Sequence, residues 1–439
     1  MNRHFLIHSY STRKARRRRF PRLRYLLLAL ILYAGWHFLF ADSTGDTTAA
    51  REGTAVKAGS ANTSERVAGA VAPVKPLPLS KDDLVIIDEE LIREHNLTID
   101  QELQRFITDM AARYKLHYGS IAVMNAATGD ILALYGQSPE GTDCTRGLST
   151  EPAASVFKVV TATAAMDQGG FTENSMFFYT GNAHTLYKNQ LTNKRNKWCA
   201  DISLTDAFAR SNNVVFGKLG TIYLGQAPIF LTARRLGFWK SPMREFQSEP
   251  STSFIPKDDY NLAELACGFN KQTRMSPLHA AQMVTAVLNS GAMVSPRIVK
   301  TSPVEKVQVM KSSTASRLGT MMEKTVRAGT VSGTFRGSKS DRVLKHLDMG
   351  GKSGSIDGDD PPGRRNWFVG YARNRNTGQA ITVGCCLILK DRFLIQSDML
   401  TRLIVRHYFS LRPSGDPDAQ ERPAQKVTAQ TSKKAQSDS

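Results

Sequence analysis

Apolar residues fall into three regimes along the chain. Residues 25–41 form one unbroken apolar run. Residues 42–83 show no hydrophobic period and are rich in Ala, Gly, Ser, Thr and Pro, and from Leu84 onward the pattern becomes periodic. The middle regime reads as a flexible linker. In the periodic part, a short strand-like stretch at 97–99 leads into Leu103, Phe106, Ile107 and Met110, which recur at helical spacing. Residues 120–125 and 130–135 flank Ala126-Ala127-Thr128-Gly129, a hairpin by composition. Helices are predicted over 155–168, 204–219, 277–289 and 314–327, strands over 366–371 and 380–389, and a last helix within 394–408. Strands come early and late, with helices between. This order predicts an α+β fold: an antiparallel β-sheet flanked by helices, closed by the two ends of the domain, with an all-helical subdomain inserted. The folded body is expected over 84–410, and the polar, aperiodic residues 411–439 are expected to be a disordered tail.

Charge changes the picture at the N-terminus. The formal net charge is +19, and nine of the basic residues precede Tyr25. The apolar run that follows spans 17 residues, near the lower limit for a membrane-spanning helix. A basic flank of this kind stays in the cytoplasm, so residues 1–24 are expected to be a cytoplasmic tail and residues 25–41 a single-pass anchor in the inner membrane, with the body in the periplasm or its equivalent. A cleaved signal peptide is the competing reading, but the bulky Trp36, Phe38 and Phe40 occupy the end where small residues precede a cleavage site. No aromatic and basic pattern recurs later, so nucleic acid is not an expected partner. Five cysteines leave at least one thiol unpaired; Cys144 and Cys199 are the favoured pair, and the adjacent Cys385 and Cys386 should point to opposite faces of a strand. No spacing suggests a metal site, and no cofactor is expected.

Candidate chemistry lies in three short motifs. Ser155-Val156-Phe157-Lys158 follows Pro152 in a small and apolar context, so the serine and lysine share one helical face. A serine needs a neighbouring base to become a nucleophile, and a buried lysine of depressed pKa can be that base. Further on come Ser211-Asn212-Asn213 and Lys352-Ser353-Gly354-Ser355. Each is ordinary alone; Ser60-Ala61-Asn62 in the linker has the same spacing as the second. Order and surroundings distinguish the set: Asn366-Trp367-Phe368-Val369-Gly370-Tyr371 follows the third motif, and Ala266-Cys267-Gly268-Phe269-Asn270 precedes Met275-Ser276-Pro277-Leu278-His279.

Taken together, these motifs resemble the penicillin-binding protein transpeptidase domain over roughly residues 84–408. The resemblance implies that Ser155 is acylated, Lys158 is its general base, and Ser211 relays a proton to the leaving amine. It also implies that Asn213 holds the substrate amide, that Lys352 adds positive charge near a substrate carboxylate bound by Ser353 and Ser355, and that the N–H groups of Ser155 and Ser355 form the oxyanion hole. Gly354 lets the strand approach the substrate closely. His279 and Asn270 stand where the family has Gln and Gly; a lone helical histidine is read as a packing residue, and Trp367 and Phe368 as core strand residues. The implied function is a compact, monofunctional peptidoglycan D,D-transpeptidase acting through an acyl-serine on D-Ala-D-Ala stem peptides. β-Lactams are implied ligands and a wall-synthesis glycosyltransferase a candidate partner. A D,D-carboxypeptidase uses the same intermediate with water. A β-lactamase is disfavoured, because Ser211-Asn212-Asn213 stands where one class has Ser-x-Val and Glu173-Asn174 lacks the spacing of another. A non-catalytic wall scaffold is the third alternative.

Overall fold

The computed structural model describes residues 79–390 and 394–412; the expected basic tail, anchor, most of the linker and the C-terminal tail lie outside the described residues. Six strands form the main sheet: β1 (Gly119–Asn125), β2 (Ile131–Ser138), β3 (Gly141–Thr142), β4 (Leu347–Asp359), β5 (Pro362–Asn374) and β6 (Ala380–Leu389). Their spatial order is β4-β5-β6-β1-β2-β3, antiparallel throughout, so strands from both ends of the domain meet at β6 and β1. The principal helices are α1 (Glu89–Glu94), α2 (Gln101–Arg113), α3 (Lys158–Asp167), α4 (Leu204–Ala209), α5 (Asn213–Lys218), α6 (Gln226–Arg235), α7 (Asp259–Cys267), α8 (Pro277–Leu288), α9 (Ser312–Ala328) and α10 (Ser397–Ser410). The predicted α+β architecture is present. The insert between β3 and β4 is predominantly helical and also carries three short antiparallel strand pairs.

Both faces of the sheet are covered, which is why β1 and β6 read as continuous apolar runs rather than alternating ones. Ile121, Val123, Val383 and Cys385 pack into one apolar cluster with α2 and α10, whereas Trp367, Val369 and Cys386 join the core of the helical insert. Cys385 and Cys386 therefore face opposite sides, as the pleat requires. All five cysteines are free; Cys144 lies in a core with Leu84 and Leu148 while Cys199 is partly exposed on the Met176–Ser203 strand-pair region, so the expected Cys144–Cys199 pair does not form. Leu79 packs in that same core, so the folded body is already under way five residues before the predicted start at Leu84.

Helix α2 begins where Asp100 accepts the Leu103 N–H at 3.0 Å, an N-cap that the strand-to-helix reading did not locate. Helix α3 has no polar face, and nine of its ten residues are buried, Lys158 among them. The predicted helix 204–219 is broken in two. Ser211 adopts φ +56°, and Asn212 turns extended and accepts the Val215 N–H at 3.0 Å, capping α5. Ser and Asn side chains compete with the backbone for hydrogen bonds, so three of them in a row interrupt an otherwise helical pattern.

The tip of the β4–β5 hairpin is tied to the segment leading to Ser155. Arg365, 1% exposed, donates to the Glu151 carboxylate at 3.0 Å and to the carbonyls of Pro361 at 2.5 Å, Gly363 at 3.0 Å and Asp360 at 2.5 Å. Arg365→Ala removes one member of a buried ion pair and four donors at once. The expected outcome is a destabilisation of about 3 kcal/mol, read by thermal or urea unfolding of the purified protein; an unchanged midpoint would refute this account of the hairpin tip.

Candidate active site

The site forms where the first turn of the helical insert meets the free edge of β4. Ala154 adopts φ +48° and opens a tight 3-10 turn, Ala154–Phe157, that runs directly into α3 at Lys158. Ser155 and Lys158 thus stand one turn apart, and Lys158 Nζ lies 2.7 Å from Ser155 Oγ. The same nitrogen contacts Asn213 Oδ1 at 2.8 Å and the Cys267 carbonyl at 2.6 Å. Asn213 Nδ2 donates to the His184 carbonyl at 2.7 Å, which fixes the orientation of its amide. Neither the Asn213 oxygen nor the Cys267 carbonyl can donate, so each requires an N–H from Lys158. A neutral amine has two N–H groups and one lone pair; with both N–H groups committed, the lone pair faces the Ser155 hydroxyl.

Burial pushes the Lys158 ammonium down to about 8. About one molecule in ten then carries the neutral amine at pH 7. Lys352 is also fully buried, and its Nζ donates to Ser211 Oγ at 3.0 Å and to the Ser353 carbonyl at 2.7 Å. Its pKa is well below the ordinary lysine value, through burial first and the positive charge of Lys158 second. In the empty cleft the positive charge expected of Lys352 is therefore disfavoured. The two ammonium positions lie 5.7 Å and 5.6 Å from the ring centroids of Phe216 and Phe208, respectively, so each lysine has an aromatic face beside it.

Two glycines let these parts meet. A Cβ on Gly268, at φ +72°, would lie 2.0 Å from the Ala154 carbonyl oxygen. One on Gly354 would lie 3.3 Å from the Ser155 nitrogen and 3.2 Å from Ala154 Cβ. The β4 edge therefore runs at van der Waals contact with the Ala154–Phe157 turn. Ser155, Ser211, Asn213, Ser353, Gly354 and Ser355 all line one cleft of about 360 Å³, beneath which Lys158 and Lys352 are buried. All eight residues singled out in the sequence are brought together. Asn213 spends its amide on Lys158 and the His184 carbonyl, keeping one N–H and one lone pair for the cleft.

The sequence reading missed several wall residues. Thr330 shares a hydrogen bond with Ser353 at 2.6 Å, Thr334 donates to the Asp398 carboxylate, and Asn366 accepts from Ser397 at 2.8 and 2.9 Å. Thr330, Thr334 and Asp398 come from segments with no motif, so no local signal marks them; Asn366 opens the stretch after the third motif, but its place in the wall was not read. His279 is fully buried; its Nε2 donates to the Leu236 carbonyl at 2.6 Å, and burial pushes it down to about 4, so it is a neutral packing residue away from the cleft. Trp367 is buried and donates to the Pro152 carbonyl at 2.8 Å, while its edge touches the cleft.

The family profile described as penicillin binding protein transpeptidase domain matches residues 119–385, more than half of the chain. Stage V sporulation protein D of Bacillus subtilis is 26% identical over 313 residues, covering 64% of this chain and 46% of that protein. Penicillin-binding protein 3 of the same organism is 27% identical over 180 residues, covering 39% and 26%. The chain thus spans less than half the length of these relatives. Among solved structures, the imipenem acyl-enzyme complex of penicillin-binding protein A from M. tuberculosis superposes with a TM-score of 0.57 at 20% identity, covering 71% of this chain and 78% of that one. The D,D-transpeptidase domain of a peptidoglycan glycosyltransferase from Eggerthella lenta gives 0.56 at 20% identity, with 72% and 82% covered. These are likenesses of fold.

Two outcomes follow from the geometry. If the neutral Lys158 amine takes the Ser155 proton, acylation of Ser155 by a fluorescent penicillin rises about tenfold per pH unit below 8 and levels above it; a rate that is flat from pH 6 to 10 sinks that role. Gly268→Ala forces a methyl group into the Ala154 carbonyl and should slow acylation by at least about tenfold, an effect absent if the turn tolerates displacement.

Proposed function

Because the chain belongs to the penicillin-binding protein transpeptidase domain family, we propose that it is a peptidoglycan D,D-transpeptidase that works through an acyl-Ser155 intermediate. The observation that carries this reading is the 2.7 Å contact between Ser155 and a buried lysine whose two other contacts are to obligate acceptors. The Ser155 proton passes to Lys158 as Oγ attacks the penultimate carbonyl of a D-Ala-D-Ala stem peptide. Negative charge on the carbonyl oxygen is met by the N–H groups of Ser155 and Ser355, each such donor being worth about 3 kcal/mol. The C–N bond then breaks, and the leaving D-alanine receives a proton through Ser211. Its carboxylate lies against Ser353, Ser355 and Lys352, where its negative charge offsets the cost of a protonated Lys352.

The second half runs in reverse. An amine from a neighbouring stem peptide attacks the ester, its proton leaves through the same relay, and the C–O bond to Ser155 breaks with return of the hydroxyl. β-Lactams acylate the same serine in place of the stem peptide. The proposal includes the N-terminal anchor at 25–41, which would hold the domain outside the membrane, beside a glycosyltransferase that supplies the glycan strands.

Labelling of the purified protein with fluorescent penicillin tests the reading. A long-lived adduct is expected on the wild type and none on Ser155→Ala with its fold retained. Lys158→Ala should acylate about 10²-fold more slowly or worse. No adduct on folded wild type, or rapid turnover of the drug, would replace this reading with a scaffold or a β-lactamase respectively.

A further inference from the structure

A second cavity, of about 820 Å³, opens on the far side of the cleft wall. Its size is that of a ligand site rather than a packing void. Its floor is apolar, formed by Val326, Phe335, Leu344 and Leu347, all buried. Its rim carries five exposed cations, Arg327, Arg336, Lys339, Lys345 and Arg375, against the carboxylates of Glu323 and Asp348. Among the described residues, only Arg375 of these five is ion-paired, with Asp348 at 3.2 Å. Among the described residues the cleft wall, by contrast, carries Asp398 and no exposed lysine or arginine.

The wall between the two spaces is one segment. Thr330 and Val331 line the cleft, Ser332 and Phe335 line the cavity, and Val331 and Phe335 pack together with Val326 and Phe368. Strand β4 runs past both: from Ser353 in the cleft to Met349 in the cavity is about 13 Å along an extended chain. The incoming amine must attack from the side on which the first amine left, because acylation and deacylation cross the same kind of tetrahedral centre in opposite directions. In the acyl-transfer reading that side is the one marked by Ser353 and Thr330. A peptide that follows β4 from Ser353 toward Met349 covers that span with about four extended residues and ends in the cationic cavity.

We propose that this cavity binds the peptide that supplies the attacking amine, holding its carboxylates on the cationic rim and its aliphatic side chains on the apolar floor. The inference rests on the acyl-transfer reading for its direction of approach, but the binding it describes is separable from the chemistry.

The test uses the full-length protein in detergent and has two arms. In the first, a fluorescent stem-type tetrapeptide with free carboxylates and a free side-chain amine is titrated into Ser155→Ala protein, with and without the pair Arg336→Glu and Lys339→Glu. The charge-reversed protein should bind about tenfold more weakly, and the same peptide with amidated carboxylates should not distinguish the two. Equal affinity overturns the proposal, as does equal displacement from both proteins by millimolar inorganic phosphate, or charge-dependent binding of phosphatidylglycerol vesicles without any of the peptide. In the second arm, a thioester donor acylates protein with Ser155 intact, and the ratio of aminolysis to hydrolysis is measured with the same peptide. The charge-reversed pair should lower that ratio about tenfold while penicillin acylation stays unchanged; an unchanged ratio sinks the inference and leaves acyl transfer standing. If the wild type is never acylated yet the peptide still binds in a rim-dependent way, the acyl-transfer reading fails and the binding site stands.

Discussion

A single buried nitrogen sets the terms for the rest of the site. Lys158 sits on a helix with no polar face, and an ammonium there would be untenable without partners. Its three contacts come from three separate elements: the turn before α3, the start of α5 and the end of α7. Each of those elements must be in place for the lysine to be satisfied, so the helical insert is organised about one amine. Burial lowers the proton affinity of the lysine and the two carbonyl-type acceptors fix where its lone pair points. Packing and chemistry thus depend on the same three distances.

The backbone around the Ser155 and Ser211 hydroxyls departs from ordinary geometry in the same manner. Ala154 and Ser211, neither of them glycine, hold positive φ angles beside or at the hydroxyl-bearing residues. Such conformations cost roughly 1 kcal/mol or more each and persist only where the surroundings impose them. Here the surroundings are identifiable. Gly268 admits the Ala154 carbonyl into a space that a Cβ would fill, and Asn212 caps α5 and thereby turns Ser211 toward Lys352. The sheet edge closes the arrangement from the other side, because Gly354 leaves room for the Ser155 amide.

How much of this was legible in the sequence differs by element. The motifs located Ser155, Lys158, Ser211, Asn213 and Lys352, since each is a short pattern with a chemical reason for its spacing. The order of strands and helices gave the α+β architecture, because period-2 and period-3.6 patterns survive in long elements. The break at Ser211 was hidden, since helix propensity on either side is high and the interruption comes from side-chain capping that only tertiary contact selects. Thr330 and Asp398 were hidden for another reason: they reach the cleft from separate elements and carry no local pattern. That both lysines are fully buried was also invisible, because burial is a property of the folded cleft and not of residue type.

That pair explains why the cleft should respond to charge on its ligand. Two buried lysines lie beneath it, both with their proton affinity lowered by burial. An empty cleft therefore holds less positive charge than its sequence suggests. A carboxylate placed at Ser353 and Ser355 would favour the charged form of Lys352, and a charged Lys352 would in turn favour the neutral form of Lys158. The order matters: in the proposed reaction the acyl donor would itself shift the lysine beside Ser155 toward the base form. Neutral ligands lack this leverage, so under the proposed reaction the electrostatics that would activate Ser155 would also favour an anionic substrate.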